Sequence, residues 1–598
     1  MVQIDLSRND LITDQAKHIL KNAYLLPNED YQDAFARAAV AFSGRDSELA
    51  QRIYDYASKQ WFMFATPLLS NGGTKKGLPI SCFLNSVEDS VEGILGTLTE
   101  SAYLSVNGGG VGTYWGKVRS LGEVTAKGTE TSGLMPFMHV QNAISLAFHQ
   151  GSTRRGSTAT YLDVSHPEIV SFVRMRIIEG GDKNRKNDNL HHGVCIPDAF
   201  MEAVERNEDW ALVDPHTKEV KKIIAARYLW EDVILPARAE TGEPYLFFVD
   251  TANADLPETQ KAAGLRVTQS NLCTEITLPT GADRTAVCCL SSVNLSKYDE
   301  WSGIAEQFIF DLVTMLDNAL DVFIENAPPA LWRAVNSVRK ERAIGLGTLG
   351  FGTALQNKGV AFGSEQSFAL NEMYYSVIKT HALRASQRLA QLRGEPEDMQ
   401  GTGRRHSHLL AIAPNATSAT ICGNVSQGIE PFMSNIISKK MRVGTMEIRN
   451  VALEKFLEGK GLNTEEVWKK IADDRGSIQK MDIFTPEEKE VFKTAYEIDQ
   501  NILVDLAAQR QKYICQAQSL NLFFLPDETK KNFSDVHFRL FKKRLKSAYY
   551  VFSETRKKTE IGAKDAYVSD KMKKSTPKVS EVASCSIEEK SQCTACEG

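Results

Sequence analysis

No stretch of the 598-residue sequence approaches the ~20 consecutive apolar residues that a membrane-spanning helix needs. The opening, MVQIDLSRND, has neither the basic nor the apolar region of a secretory signal. Charge of one sign is not in excess. The net charge is -5, so nothing global points to nucleic acid or a membrane surface as a partner. Cysteine is sparse: 10 residues spread over nearly the whole length, which excludes the disulfide framework of a small secreted domain. The N-x-S/T matches at Asn294, Asn415 and Asn532 are therefore read as accidental. The compartment is expected to be cytoplasmic, with any disulfide catalytic or redox-linked. Histidine is scarce, and the adjacent His191 and His192 lack the acid of an H-E-x-x-H zinc motif. No internal repeat is present. With 42% hydrophobic and 24% charged residues, neither disorder nor a fibre is suggested.

Residues 1–60 read as helical, because DYQDAFARAAVAF and SELAQRIYDYASKQWF carry apolar positions at three- and four-residue spacing. From 61 to about 350 the texture changes to short apolar runs broken by glycine and proline. FATPLLSNGG, LPISCFLNS, HHGVCIPDAF, GEPYLFFVD and AIGLGTLGFG are the clearest. Helical stretches such as SVEGILGTLTESAYLSV and FDLVTMLDNALDVFI intervene, a mixture that indicates an α/β domain with much parallel sheet. Residues 365–510 are mostly helical around the loop AIAPNATSATICGN. A last amphipathic helix is predicted over roughly 534–550. Beyond it, residues 553–598 are lysine-rich and poor in large apolar side chains, the composition of a flexible tail.

Some motifs carry no chemistry. Gly345, Gly347 and Gly350 satisfy G-x-G-x-x-G, but the charged VNSVRKERAI before them is no buried strand, and a close-packed turn is expected instead. GGGVGTYWGK resembles a phosphate loop in composition alone, with Val118 where a magnesium-binding hydroxyl belongs. Others are more telling. In SNLCTEITLP, Asn271, Cys273 and Glu275 alternate with apolar residues. If extended, the segment would aim amide, thiol and acid at one small volume. Cys593 and Cys596, in CTACEG, have the spacing of a reversible dithiol or of half a zinc site. A second zinc ligand pair is missing, since Cys585 is the one nearby thiol and the tail has no histidine. A redox dithiol on a tether is favoured, delivering electrons to a site elsewhere in the chain. Cys82, Cys288 and Cys289, each a candidate structural cysteine, then suggest a third thiol beside a reducible pair. That combination suits radical reduction. APNATSATICGN offers hydroxyls and N–H groups for anionic oxygens, or an ordinary helix cap. Tyr549-Tyr550 reads as two half-buried aromatics on a helix, or as phenols passing an electron and a proton in steps.

Taken together, and in this order, these motifs resemble the large catalytic subunit of class I ribonucleotide reductase. Thr66 with Ser81-Cys82, NLCTEITLP, AVCCLSSVNL, PNATSA, Tyr549-Tyr550 and the tail dithiol recur with matching order and spacing. The resemblance implies an α/β fold: a ten-stranded α/β barrel, two five-stranded parallel halves arranged antiparallel, with Cys273 on a central finger loop. The organisation expected is a helical N-terminal region over 1–60, the barrel with helical additions over 61–552, and the tail over 553–598.

The same resemblance implies roles. Cys273 would carry the thiyl radical, Glu275 would be the general base on the 3′ hydroxyl, and Asn271 would hold the substrate hydroxyls. Cys82 and Cys288 would reduce the sugar and end as a disulfide, with Cys289 given no role. Thr66, Ser81 and Asn415, Ala416, Thr417 and Ser418 would bind substrate phosphate. Tyr549 and Tyr550 would end a radical path from a metal-containing small subunit. Cys593 and Cys596 would re-reduce the internal pair and be reduced by thioredoxin or glutaredoxin. Asp89, Ser90, Arg119, Gln150 and Arg154 correspond to a nucleotide effector site at a homodimer interface, binding ATP or deoxynucleoside triphosphates. No metal or other cofactor is expected on this chain.

Two departures from the family pattern matter. The segment before Thr66 is too short for an ATP-cone, so no dATP shut-off through such a domain is expected. PNATSA lacks the acid some relatives carry there, so phosphate contacts are expected to rely on backbone N–H groups. Rival readings are a cobalamin-dependent ribonucleotide reductase, which needs no tyrosine pair, and a glycyl-radical enzyme, which needs a glycine loop near its end. A non-catalytic zinc-binding or nucleotide-sensing protein is a third. Cys195, Cys422, Cys515 and Cys585 are read as structural or incidental.

Overall fold

A computed structural model of the chain describes residues 2–150, 156–177, 186–441 and 444–553. The N-terminal layer is helical, as its periodicity requires. Helix Tyr31–Ala41 starts at a capping box between Asp30 and Asp33, and helix Ser47–Ser58 starts where Asp46 accepts the N–H groups of Glu48 and Leu49. Arg52 ties the second helix to Asp311 of the long helix Ala305–Asn326 at 2.7 Å, seating this layer on the rest of the molecule.

Strand β1 (Phe62–Phe64) follows. The chain then builds β2 (Cys82–Ser86), β3 (Gly110–Tyr114), β4 (Thr158–Asp163) and β5 (His191–Ile196). An outlying hairpin of β6 (Asp209–Val213) and β7 (Val220–Ala225) precedes β8 (Tyr245–Phe248). β2, β3, β4, β5 and β8 pair in that order, all parallel. Every residue of β2, β3 and β5 is buried, the pattern of parallel strands covered on both faces.

The second half begins with β9 (Ala286–Asn294), parallel to β10 (Ile344–Leu349). Extended segments at 409–413 and 516–520 continue it through parallel bridges Leu346–Leu410 and Ile412–Gln518. A separate hairpin of β11 (Ile436–Met441) and β12 (Gly444–Arg449) lies beside a small apolar cluster around Trp468. The last strands are β13 (Leu522–Phe524), β14 (Ser547–Ala548) and β15 (Val551–Ser553), with β13 parallel to β15. The halves meet antiparallel at both seams, β2 on β9 and β14 on β8. The sheet thereby closes into the ten-stranded α/β barrel that the sequence implies.

Three local expectations are corrected. The helix predicted over 534–550 spans Lys530–Lys542. Arg544 then turns the chain through a left-handed φ of 57°, and the following residues enter the sheet. A short apolar run such as SAYYVF suits strand and helix equally, and burial of Lys546 against the carbonyls of Cys515 and Gln516 decides for the sheet. FATPLLSNGG is strand only in β1 and then becomes helix Thr66–Asn71, with Pro67 in the first turn where its missing N–H costs nothing. Gly345 and Gly347 lie inside β10 rather than in a turn. A Cβ at Gly345 would meet Leu290 at 2.3 Å and the Cys288 sulfur at 3.0 Å, so glycine is there for close packing between strands. Among the described residues no helix is long and apolar enough to cross a membrane.

Candidate active site

The segment 270–277 runs inside the barrel. On one side it presses on β3, where a Cβ at Gly112 would lie 2.1 Å from the Ser270 carbonyl oxygen, so glycine alone leaves room for its passage. Tyr161 of β4 donates its hydroxyl to the Asn271 carbonyl at 2.5 Å. On the other side, the Ala517 N–H bonds the Glu275 carbonyl at 2.8 Å and Ser519 donates to the Cys273 carbonyl at 2.6 Å.

The extended alternation expected of this stretch is not what brings its side chains together. Residues 271–274 form a turn, and Thr274 adopts a φ of 66°, a costly conformation for a β-branched residue. The anchors on both walls hold that turn. It places the Cys273 sulfur toward Tyr549, while Asn271 and Glu275 face Cys82.

Cys82 and Cys288 stand directly opposite each other across the antiparallel β2–β9 seam. Such partners have Cα atoms roughly 4.5–5.5 Å apart, within the span of about 4.4–6.8 Å that a disulfide bridges. Both are free thiols here. The Asn271 amide donates to the Cys82 sulfur at 3.3 Å, and Cys82 lies 3.7 Å from Glu275 Oε1. Ser519 Oγ also lies 3.2 Å from Glu275 Oε2. Burial pushes the Glu275 carboxyl up to about 7, against the pull of hydrogen bonds from Asn271, Ser519 and Cys82. Burial also pushes the Cys288 thiol well above its ordinary value. Cys289 follows Cys288 on β9 and so points to the opposite face. Burial raises its thiol, with the Asp317 carboxylate adding to the effect.

Tyr549 donates its hydroxyl to the Cys273 sulfur at 3.4 Å. The Tyr549 and Tyr550 ring centroids are 4.3 Å apart at 52°, and Tyr245 packs on both at 4.8 and 5.1 Å. Tyr549 is buried whereas Tyr550 is half-buried, so the pair leads from the barrel interior toward the surface.

Family descriptions agree with this geometry. The ribonucleotide reductase barrel domain matches residues 80–402 and 395–551, and the ribonucleotide reductase all-alpha domain matches residues 10–77. The chain belongs to the ribonucleotide reductase large-subunit family. It is 42% identical over 608 residues to the ribonucleoside-diphosphate reductase large subunit of Invertebrate iridescent virus 3, covering 92% of this chain and 95% of that protein. The Caenorhabditis elegans large subunit is 31% identical over 599 residues, with 89% and 74% covered. Among solved structures, the Actinobacillus ureae class Id ribonucleotide reductase alpha subunit has a TM-score of 0.81 and 34% identity, over 94% of this chain and 100% of that one.

In this reductase chain the residues expected at the phosphate site sit at two helix starts, apart from Ser81, which directly precedes β2. Thr66 opens helix Thr66–Asn71 and shares a hydrogen bond of 2.9 Å with Tyr24. Ser81 accepts from the Cys82 thiol at 3.6 Å. Asn415 sits at a left-handed φ of 61° before helix Ala416–Ile421. Its amide donates to the Thr348 and Ala413 carbonyls and its oxygen accepts from Ser292, so the side chain shapes the turn. The N–H groups of Ala416, Thr417 and Ser418 form the first turn of that helix.

The effector residues separate into two groups. Asp89 pairs with Arg119 at 2.9 Å, beside Ser90, which caps helix Val91–Val106. Gln150 bonds Asn71 at 3.0 Å and the Lys76 carbonyl at 3.2 Å, and its amide also abuts Gly108, just past the far end of that helix. A 16-residue helix is roughly 24 Å long, so one chain does not unite the groups. Arg154, Cys593, Cys596 and Cys585 lie outside the described residues.

Sequence reading missed three residues of this neighbourhood. Ser519 and Gln516 touch Glu275 and Cys288, and their signal was an unusual density of polar side chains in CQAQSLN. His191, considered only for zinc, bonds the Tyr550 hydroxyl at 3.1 Å and Glu243 at 2.7 Å.

Proposed function

We propose that this reductase chain converts ribonucleoside diphosphates to 2′-deoxyribonucleotides through a thiyl radical on Cys273. The observation that carries the proposal is the run of contacts from Tyr550 through Tyr549 to Cys273, beside an opposed Cys82–Cys288 pair. A metal centre in a separate small subunit supplies the oxidising equivalent. Tyr550 and Tyr549 relay it, and Cys273 gives up its hydrogen. The thiyl then takes the 3′ hydrogen of the ribose while Glu275 receives the 3′ hydroxyl proton. The 2′ hydroxyl leaves as water. Cys82 and Cys288 provide two electrons and two protons and end as a disulfide, and Cys273 returns its hydrogen to the 3′ carbon. The hydroxyl of Tyr549 on the Cys273 sulfur favours this radical source over cobalamin.

Asn271 positions the ribose hydroxyls. Thr66, Ser81 and the Ala416–Ser418 backbone take the phosphates. Cys593 and Cys596 re-reduce the internal pair at the expense of thioredoxin or glutaredoxin. Asp89, Ser90 and Arg119 from one copy, with Gln150 and Arg154, bind the nucleotide effector across a homodimer. Exposed Val91, Leu95, Tyr103, Val140, Leu146 and Phe148 on two adjacent helices supply an apolar face for that contact.

The test mixes the chain with a cognate small subunit, a nucleoside diphosphate, an effector and dithiothreitol. Deoxynucleotide is expected, and its absence under all effectors rejects the proposal. Glu275→Gln should lower turnover by about 10²–10⁴-fold, the range for removing a general base. With its carboxyl raised to about 7, Glu275 stays protonated in mild acid. Turnover should therefore rise with pH through about 7 and then level off. A profile flat from pH 6 to 8 would reject Glu275 as the base. Leu95→Glu should shift the effector-bound chain from dimer to monomer in analytical ultracentrifugation and flatten the effector response. An unchanged dimer would place the interface elsewhere.

A further inference from the structure

The two thiols of the opposed pair are not equivalent. Cys82 retains 6% of its surface exposed, whereas Cys288 has none. Each sulfur meets a side-chain amide: Asn271 at 3.3 Å from Cys82, and Gln516 Nε2 at 3.4 Å from Cys288. The Gln516 orientation is fixed by backbone partners. Its Oε1 accepts the Thr277 N–H at 3.3 Å and its Nε2 donates to the Ile344 carbonyl at 3.1 Å. A main-chain N–H only donates and a carbonyl only accepts, so the face toward Cys288 is N–H. Gln516 is fully buried. Cys82 differs in its 3.7 Å contact with Glu275 Oε1.

We propose that Gln516 is the leaving-group donor when the Cys82–Cys288 disulfide is re-reduced, and that it sets the direction of that exchange. The inference rests on the reading above that this pair closes on turnover. An incoming dithiol, as its thiolate, attacks the accessible Cys82 sulfur and forms a mixed disulfide. The Cys82–Cys288 bond breaks, and Cys288 departs with the Gln516 N–H as its hydrogen-bond donor, which offsets part of the burial that disfavours its thiolate. The second thiol of the reductant then attacks its own sulfur in the mixed disulfide and releases Cys82. The dithiol loses two electrons and two protons, and Cys82 and Cys288 gain them.

The test uses the full chain with its small subunit. After turnover without reductant, the enzyme is pulsed with β-mercaptoethanol, quenched in acid, alkylated and mapped by peptide mass spectrometry. The adduct is expected on Cys82 and the alkyl group on Cys288. The reverse pattern, or an even split, overturns the inference. Gln516→Leu should slow dithiothreitol reduction of the disulfide about 10- to 100-fold, the worth of a hydrogen bond to a charged group, and should move adduct toward Cys288. A variant that folds and keeps both rate and adduct position also overturns it; if the variant does not fold, the wild-type map decides. A disulfide that forms on turnover but carries the adduct on Cys288 defeats this inference alone. Failure of any Cys82–Cys288 disulfide to form on turnover defeats the reading beneath it as well.

Discussion

Cys273→Ser is expected to abolish deoxynucleotide formation while leaving nucleotide binding and the oligomeric state intact. The substitution keeps the shape of the side chain and replaces sulfur by oxygen. A serine O–H is far harder to homolyse than a thiol S–H, so a phenoxyl radical on Tyr549 has no downhill step to make. The finger loop should survive, because its anchors do not involve the sulfur. Tyr161 holds the Asn271 carbonyl, Ser519 the Cys273 carbonyl and Ala517 the Glu275 carbonyl. A serine hydroxyl also gives the Tyr549 hydroxyl a partner, so no buried polar group is orphaned. Product measured over many hours against a no-enzyme control checks the first half, and calorimetric nucleotide titration the second. Residual turnover above background would remove Cys273 from the centre of the reaction.

Tyr549→Phe deletes one oxygen and should be equally severe for turnover with the small subunit. Its ring stays packed between Tyr245 and Tyr550, whose ring centroids lie 4.8 and 4.3 Å away. The structural cost is therefore of the order of one buried hydrogen bond, about 1 kcal/mol. The functional cost is the whole path, since phenylalanine has no phenolic proton to release as it is oxidised. Expected results are turnover at background, an unchanged dissociation constant for nucleotide, and a melting temperature lowered by only a few degrees. Turnover of this variant with the small subunit would mean that the oxidising equivalent reaches Cys273 by another route.

Much of this site was legible from spacing and order. The thiols at Cys82 and Cys288, the Asn271–Cys273–Glu275 cluster and the Tyr549-Tyr550 pair come together in the folded chain as the sequence motifs indicated. The mechanism of their convergence was not legible. Alternation suggested that Asn271, Cys273 and Glu275 share a face of extended chain, yet a turn with Thr274 at φ 66° arranges them. Such a turn is maintained by β3, β4 and the 516–520 segment, none of them local in sequence. The helix expected through Tyr549-Tyr550 failed for a related reason, since the antiparallel seam with β8 captures the chain after Lys546. Gln516, Ser519 and His191 could not be assigned, because their partners at Cys288, Glu275 and Tyr550 are all more than 200 residues away.

What the sequence by itself determined is the chemistry available: which residues carry a thiol, a carboxyl, an amide and a phenol, and the order in which the chain delivers them. Those are properties of side chains and of spacing, and they are readable one segment at a time. Closure of the barrel decided which sulfur faces which amide, which carboxyl is dry enough to hold its proton to neutrality, and where the phenol meets the thiol. Each of these depends on atoms from distant segments sharing a low-dielectric interior, and no local pattern encodes that distance.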